Sequence, residues 1–342
     1  MSTAAAPGVP LSVLDLSPVA SGAGASQALR ATVRLARAAE RLGYHRYWLA
    51  EHHNAPSVAG AVPEVLTAAV AGATSAIRVG AGGVMLPHHA PLRVAEAFRA
   101  LAALHPGRID LGLGRAPGTD GRTALALRRS PAGPRGDDFT ERYAELLGHV
   151  DGFPAGHRLA GVRAVPADAP LPPVWVLGSS ERGARTAAAL GTGYAHAGHS
   201  SEADPAAALR AYREAFSPSA HRQRPHALLA VGALVADTDV RARELLLAHR
   251  LAEVRVRQGR PAPLPSPREA AEHAWTPAER HAAGQLPGAV LAGTGAEVAR
   301  RLRELVAATG ADELLVVTQV HDEAERERSY ELLAAAWGPP GR

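Results

Sequence analysis

Apolar and polar positions follow two rhythms along the chain. Short, nearly continuous apolar runs occur at 11–16 (LSVLDL), 46–53 (RYWLAEHH), 77–86 (IRVGAGGVML) and 108–114 (RIDLGLG). Between them lie stretches with helical spacing, which predict helices over about 26–42, 63–75 and 91–104. The second half repeats the scheme with PVWVLGSS (173–180) and a helix from Glu181, GYAHAG (193–198) and a helix near 204–215, then HALLAVGALVAD (226–237) and ELLVVTQV (313–320). Strands that are apolar on both faces belong in a parallel sheet covered by helices. Eight such strand and helix units predict an α/β protein built as a closed (β/α)8 TIM barrel, with 1–342 as a single domain. An open dinucleotide-binding sheet is the weaker reading, because SPVASGAGAS after the first run lacks the GxGxxG spacing.

Three segments break the rhythm: 116–136, 151–173 and the Pro-rich 256–290. The first and third are insertions after strands 4 and 7, and so belong at the C-terminal end of the barrel, where functional loops gather. Within the third, Ser266 with Glu269 and Thr276 with Glu279 have capping-box spacing and a proline at the first helical position; Thr294 with Glu297 has the same spacing.

Composition narrows the chemistry. The 342 residues are 46% hydrophobic, enough for a large core, and include no Cys and no Lys. Disulfides, thiolate ligands, thiol nucleophiles and lysine Schiff bases are therefore excluded. The net charge of +4 raises nucleic acid as a partner. Against it, Arg30, Arg34, Arg37 and Arg41 recur opposite Ala28, Ala31, Leu35 and Leu42, the pattern of a solvated outer helix face, and interleaved aromatics are missing. No apolar run is long enough to span a membrane and no secretory signal is evident, so the expectation is a cytoplasmic protein with neither nucleic acid nor membrane as partner.

Four places can carry chemistry. Glu51, His52, His53 and Asn54 close the second strand at the rim where barrel enzymes place their sites; a wet rim would also tolerate them. Neighbouring strand residues face opposite ways, so His52 and His53 do not make a metal pair, nor do His88 and His89, and the HxH motif of a metal-dependent barrel hydrolase is absent. Gly80, Gly82 and Gly83 inside the third strand mark a bulge or a close approach, by ligand or by backbone. Arg115 ends the fourth strand, and Gly178, Ser179 and Ser180 end the fifth just before a helix. An Arg fork beside a helix N-terminus is an anion site, although Gly-Ser-Ser also reads as a plain helix cap and Arg115 as a partner of Asp110 or Asp120.

In order and spacing, YWLAEHHN (47–54), VGAGGVMLP (79–87), GRIDLGLGR (107–115), VWVLGSSERGA (174–184), GTGAEVARRLREL (293–305) and GADELLVVTQVHD (310–322) resemble the bacterial-luciferase-like superfamily of flavin-dependent monooxygenases. The resemblance implies FMN across the C-terminal mouth, delivered reduced by a separate flavin reductase and used with O2, through a flavin hydroperoxide, to oxygenate a small organic substrate. It assigns the flavin phosphate to Arg115, Gly178, Ser179, Ser180 and Gly183, a cis peptide against the flavin ring to Gly82 and Gly83, and proton handling beside the flavin to His52. It also implies a homodimer formed through helices near the first strands, with which the 63–75 helix is compatible. Two departures stand out. Light-emitting relatives carry an acidic residue where this chain has Ser179, and the loops of a long-chain aldehyde pocket find no counterpart. The alternatives are a deazaflavin-dependent hydride-transfer oxidoreductase of the same superfamily and a non-catalytic flavin-binding protein; a metal-dependent hydrolase is more distant.

Overall fold

The computed structural model describes residues 8–116, 118–128, 138–286 and 290–338. Its strands are β1 (Leu11–Asp15), β2 (Arg46–Leu49), β3 (Arg78–Met85), β4 (Ile109–Gly114), β5 (Val174–Gly178), β6 (Gly193–His196), β7 (Ala227–Val235), β8 (Val290–Gly293) and β9 (Glu313–Val317). All pair in parallel. The order β1, β2, β3, β4, β5, β6, β7, β9 closes on itself through the pairing of β9 with β1, giving the eight-stranded (β/α)8 barrel that the sequence predicts. The ninth strand, β8, stays outside the ring. It pairs with Gly232–Val235 at the end of the long β7, whose earlier residues pair with β9. Periodicity leaves β8 hidden at the edge of the 256–290 insertion, because four residues carry too little pattern to be seen.

The helices are α1 (Ala25–Arg41), α2 (Pro63–Ala73), α3 (Pro91–Leu104), α4 (Gly121–Arg128), α5 (Phe139–Asp151), α6 (Glu181–Ala189), α7 (Pro205–Ala215), α8 (Asp239–Arg257), α9 (Pro267–Glu272), α10 (Pro277–Gly284), α11 (Gly295–Thr309) and α12 (Glu323–Trp337). Helix α1 turns Ala28, Leu35, Ala36 and Ala39 inward and leaves Arg30, Arg34, Arg37 and Arg41 in solvent, so the basic stripe is an outer face. The boxes at Ser266 and Thr276 form in full and start α9 and α10. The one at Thr294 does not: its side chain makes no capping hydrogen bond, and α11 begins without it.

Part of the 116–136 segment folds as α4; Pro117 and residues 129–137 lie outside the described residues. Residues 152–173 contain neither helix nor strand and return the chain from α5 to β5. They are held down by Arg99 of α3, whose guanidinium donates to the carbonyls of Ala164, Ala167 and Ala169. Among the described residues no helix is long and apolar enough to cross a membrane.

Inside the barrel, Trp48 and Trp175 meet edge to face at 5.6 Å, packed with Leu14, Leu228 and Leu315. Toward the N-terminal ends of the strands the filling becomes ionic. Arg46 donates to Asp110 at 2.7 Å and to Glu313 at 2.6 Å, and Arg78 donates to Asp110 at 2.6 Å. Buried charges are tolerated only when paired in this way. Asp110, here engaged by two arginines and by the Trp48 indole N–H, is thereby removed as a partner for Arg115 at the opposite end of β4. The closed, paired floor leaves the C-terminal mouth as the open end.

Candidate active site

Glu51 explains the first half of the polar cluster that closes β2. It is fully buried, and its carboxylate accepts from His53 Nε2 at 2.8 Å, from His89 Nε2 at 2.8 Å and from the Met85 amide at 2.7 Å. Burial alone would raise its pKa. The His89 hydrogen bond and charge, with His53 and the Met85 amide, outweigh that and hold the carboxyl below its ordinary value. Burial likewise pulls His89 down, yet Glu51 prevails and raises it. One carboxylate thus ties the ends of β2 and β3 together. Asn54 instead donates to Asp120, with a positive φ of 52°, and so belongs to the rim. Because Asp120 also receives Thr123, it is not a partner of Arg115 either.

His52 turns the other way, into a cavity. Its amide donates to the Gly60 carbonyl at 2.7 Å, which fixes the backbone, while Nδ1 is buried without a partner among the described residues. The cavity of about 440 Å³ is shared with His199 and His249, whose Nδ1 atoms are also buried and unpartnered. Burial lowers the pKa of His52, and takes both His199 and His249 down to about 4. At neutral pH these rings are uncharged, each offering one donor and one acceptor.

The predicted anion site lies where β4 and β5 end. Ser180 caps α6, accepting from the Gly183 amide at 3.4 Å, and Ser179 and Ser180 are exposed. Gly178 and Gly183 meet backbone to backbone: a Cβ added to either would stand 3.3 Å from the other's Cα. Their contact brings the first turn of α6, with amides that have no intrahelical acceptor, against the tip of β5. Arg115 closes the side. Its Nη1 lies 3.5 Å from where a Gly183 methyl would stand, and it makes no ion pair among the described residues.

The third strand carries a cis peptide between Gly82 and Gly83, with the register shifted against β4 between Ala81 and Val84. Both glycines are buried. A Cβ at Gly82 would strike Leu14 at 2.8 Å and Trp48 at 3.0 Å, and one at Gly83 would strike the Gly112 carbonyl at 2.7 Å. Close protein packing therefore already demands glycine here, and the bulge lies beneath the mouth's surface.

Of the residues the sequence singles out, the structure gathers Arg115, Gly178, Ser180 and Gly183 into one cradle and puts His52 in a separate cavity. Local sequence rules do not supply the link between them. His196, at the end of β6, pairs in register with Gly178, and its Nδ1 is 3.0 Å from the Tyr194 hydroxyl, which also lies 3.3 Å from the Ser180 carbonyl. His199 in turn lies within electrostatic reach of His52, His196 and His249. The signal for His196 and His199 was present: AHAGHS at 195–200 ends a strand in histidines just as EHHN does. His249 sits within α8, where the sequence around it gives no hint. Among the described residues no group of three or more His, Asp and Glu side chains is arranged to hold a metal ion.

The arrangement pairs an anion cradle with a half-buried chamber of neutral histidines at one barrel mouth. The chain is similar to known proteins over nearly its whole length. A luciferase-like monooxygenase of Escherichia coli strain K12 is 42% identical over 324 residues, covering 95% of this chain and 96% of that protein. N-acetyl-S-alkylcysteine monooxygenase of Bacillus subtilis is 35% identical over 328 residues, covering 95% and 97%. The crystal structure of apo-MsnO8 superimposes with a TM-score of 0.86 at 37% identity, over 96% of this chain and 98% of that one. The sequence profile of the luciferase-like monooxygenases matches residues 9–313, and the chain belongs to that family.

Proposed function

We propose that the protein is the oxygenating partner of a two-component system, taking reduced FMN from a separate flavin reductase and using O2 to oxygenate a small organic substrate. The observation that carries this reading is the cradle: an arginine with no carboxylate partner among the described residues, the first turn of α6 and two exposed hydroxyls lie together where β4 and β5 end. That donor set fits a phosphate group. Arg115 would hold the phosphate by its guanidinium, the α6 amides and Ser179 and Ser180 would complete the site, and the contact of Gly178 with Gly183 keeps it open. Bound reduced flavin would supply two electrons and the reactivity toward oxygen.

The chain's own residues then position and protect. His52, uncharged at neutral pH and with an Nδ1 that has no partner among the described residues, can hold or pass one proton beside the mouth. The buried Gly82 and Gly83 segment would set the depth to which a ring descends. Trp48 and Trp175 below it exclude water from the barrel interior. In a further part of this proposal the active form is a homodimer, because α2 begins with exposed Val62 and Val65, an apolar ridge in keeping with a subunit contact. A cytoplasmic location goes with the reductase requirement.

The test is turnover under 18O2 with a flavin reductase, FMN and a panel of small substrates that begins with N-acetyl-S-alkylcysteines, the substrates named for one relative. Incorporation of one 18O atom into a product, with His52→Ala losing at least ten-fold in product formed per flavin oxidised, is the expected result. Binding of a reduced deazaflavin coenzyme, with no binding of reduced FMN, would replace the proposal with hydride transfer.

A further inference from the structure

The cavity beside His52 lies across the mouth from the cradle. Its walls come from β7, β8 and β9, from the segments that follow β1, β2 and β6, and from α8, α10 and α11, and in the closed ring the β9 and β1 pair stands opposite the β4 and β5 pair. It is the place for a substrate, in keeping with the function proposed above, on which this inference rests. Its volume of about 440 Å³ suits a small molecule. Leu16, Leu234, Leu246, Val290 and Val317 supply an apolar wall.

The charges are what set it apart. Most buried and half-buried arginines are engaged, Arg46 and Arg78 with carboxylates, Arg99 and Arg108 with carbonyls, Arg326 with Asp15, whereas Arg115 of the cradle is an exception. Arg301 of α11 is half-buried in the wall of the cavity, with no hydrogen bond or ion pair among the described residues. Glu297, one turn earlier, lies within electrostatic reach but is claimed by Arg300 at 2.8 Å. Arg250, at the rim, is equally unpaired among the described residues. The cavity's single carboxylate, Glu253, is bridged to neither, and burial pushes its pKa up, which weakens its opposition to an anion.

We propose that the substrate is a carboxylate with an apolar body, its carboxylate held by Arg301 with Arg250 at the rim, and its body lying along the leucine and valine wall toward His52. An unpaired guanidinium facing a partly apolar chamber is a fork waiting for a planar anion. The unpartnered Nδ1 atoms of His199 and His249, deeper in, give neutral hydrogen-bonding positions for the rest of the molecule.

The experiment is calorimetric titration of the full-length protein, without flavin, with hexanoate, benzoate and N-acetyl-S-benzylcysteine and with the neutral amide of each. No flavin or oxygen takes part, so failure of the monooxygenase proposal would leave this result standing, and the reverse. The expected result is saturable binding of at least one acid, at least ten-fold tighter than its amide. Arg301→Gln should remove that preference, Arg301→Lys should retain part of it, and Arg93→Gln, on the outer face of α3, should leave it unchanged. Circular dichroism confirms that each variant is folded. The proposal is overturned if no acid binds, if acids and amides bind equally, or if folded Arg301→Gln keeps the wild-type preference for the acid.

Discussion

Gly178 and Gly183 touch across the junction of β5 and α6, each leaving only 3.3 Å for a methyl group on the other. Such a spacing is tighter than ordinary packing, so alanine at 183 would push the first turn of α6 away from the strand tip and from Arg115. Alanine is also favoured over glycine within a helix by about 1 kcal/mol, which offsets much of the packing cost. Gly183→Ala is therefore expected to change folding stability by less than about 1 kcal/mol while weakening reduced FMN at least ten-fold. Denaturant unfolding and anaerobic flavin titration check the two halves separately.

The frame and half of the candidate site are legible in the sequence. Eight barrel strands could be read because parallel strands buried on both faces are continuous apolar runs. Arg115, Gly178, Ser180 and Gly183 could be read because strand tips next to a capped helix obey local rules. What escaped is what three-dimensional closure creates. The role of Glu51 as a tie between His53, His89 and Met85 depends on β2 and β3 lying side by side. The meeting of His52 with His199 and His249 depends on α8 folding over the mouth. Thr294 shows the reverse error, a local capping pattern that the surrounding structure does not use.

Glu51 gives a pH-dependent prediction. Its folded pKa is depressed below 4.5, so its contribution to stability is complete above about pH 4.5 and is lost as the pH falls through the folded value. His89 is raised above 6.5, so its share is complete below about pH 6.5 and is lost as the pH rises through its folded value. The pair is strongest between those limits. Glu51→Gln, which keeps an acceptor for the Met85 amide but loses the charge, is expected to cost about 1.5 to 3 kcal/mol near pH 5.5 and less at either side. Unfolding midpoints from pH 4 to 9 for wild type and variant measure this; a difference that does not vary with pH would contradict it.

The buried histidines predict a slope opposite to that of His89. His199 and His249 have pKa values near 4 because burial disfavours their charged forms. Between pH 6.5 and about 4 the unfolded chain binds protons that the folded one does not, so stability falls as the pH falls through that window. His249→Gln should flatten this dependence. In imidazole NMR titrations of the wild type both rings should stay neutral at pH 6, and a midpoint near 6.5 for His249 would show that its ring is solvated.

A flavin site at this mouth requires that the cradle bind a phosphate. The direct measurement is the affinity of the anaerobic protein for reduced FMN and for reduced riboflavin, which differ only in that group, in wild type and Arg115→Ala. The account predicts that wild type binds FMN at least ten-fold more tightly than riboflavin and that Arg115→Ala abolishes most of the difference while binding riboflavin as before. Equal affinity of the wild type for the two flavins, or a preference for FMN that survives the loss of Arg115, would contradict it.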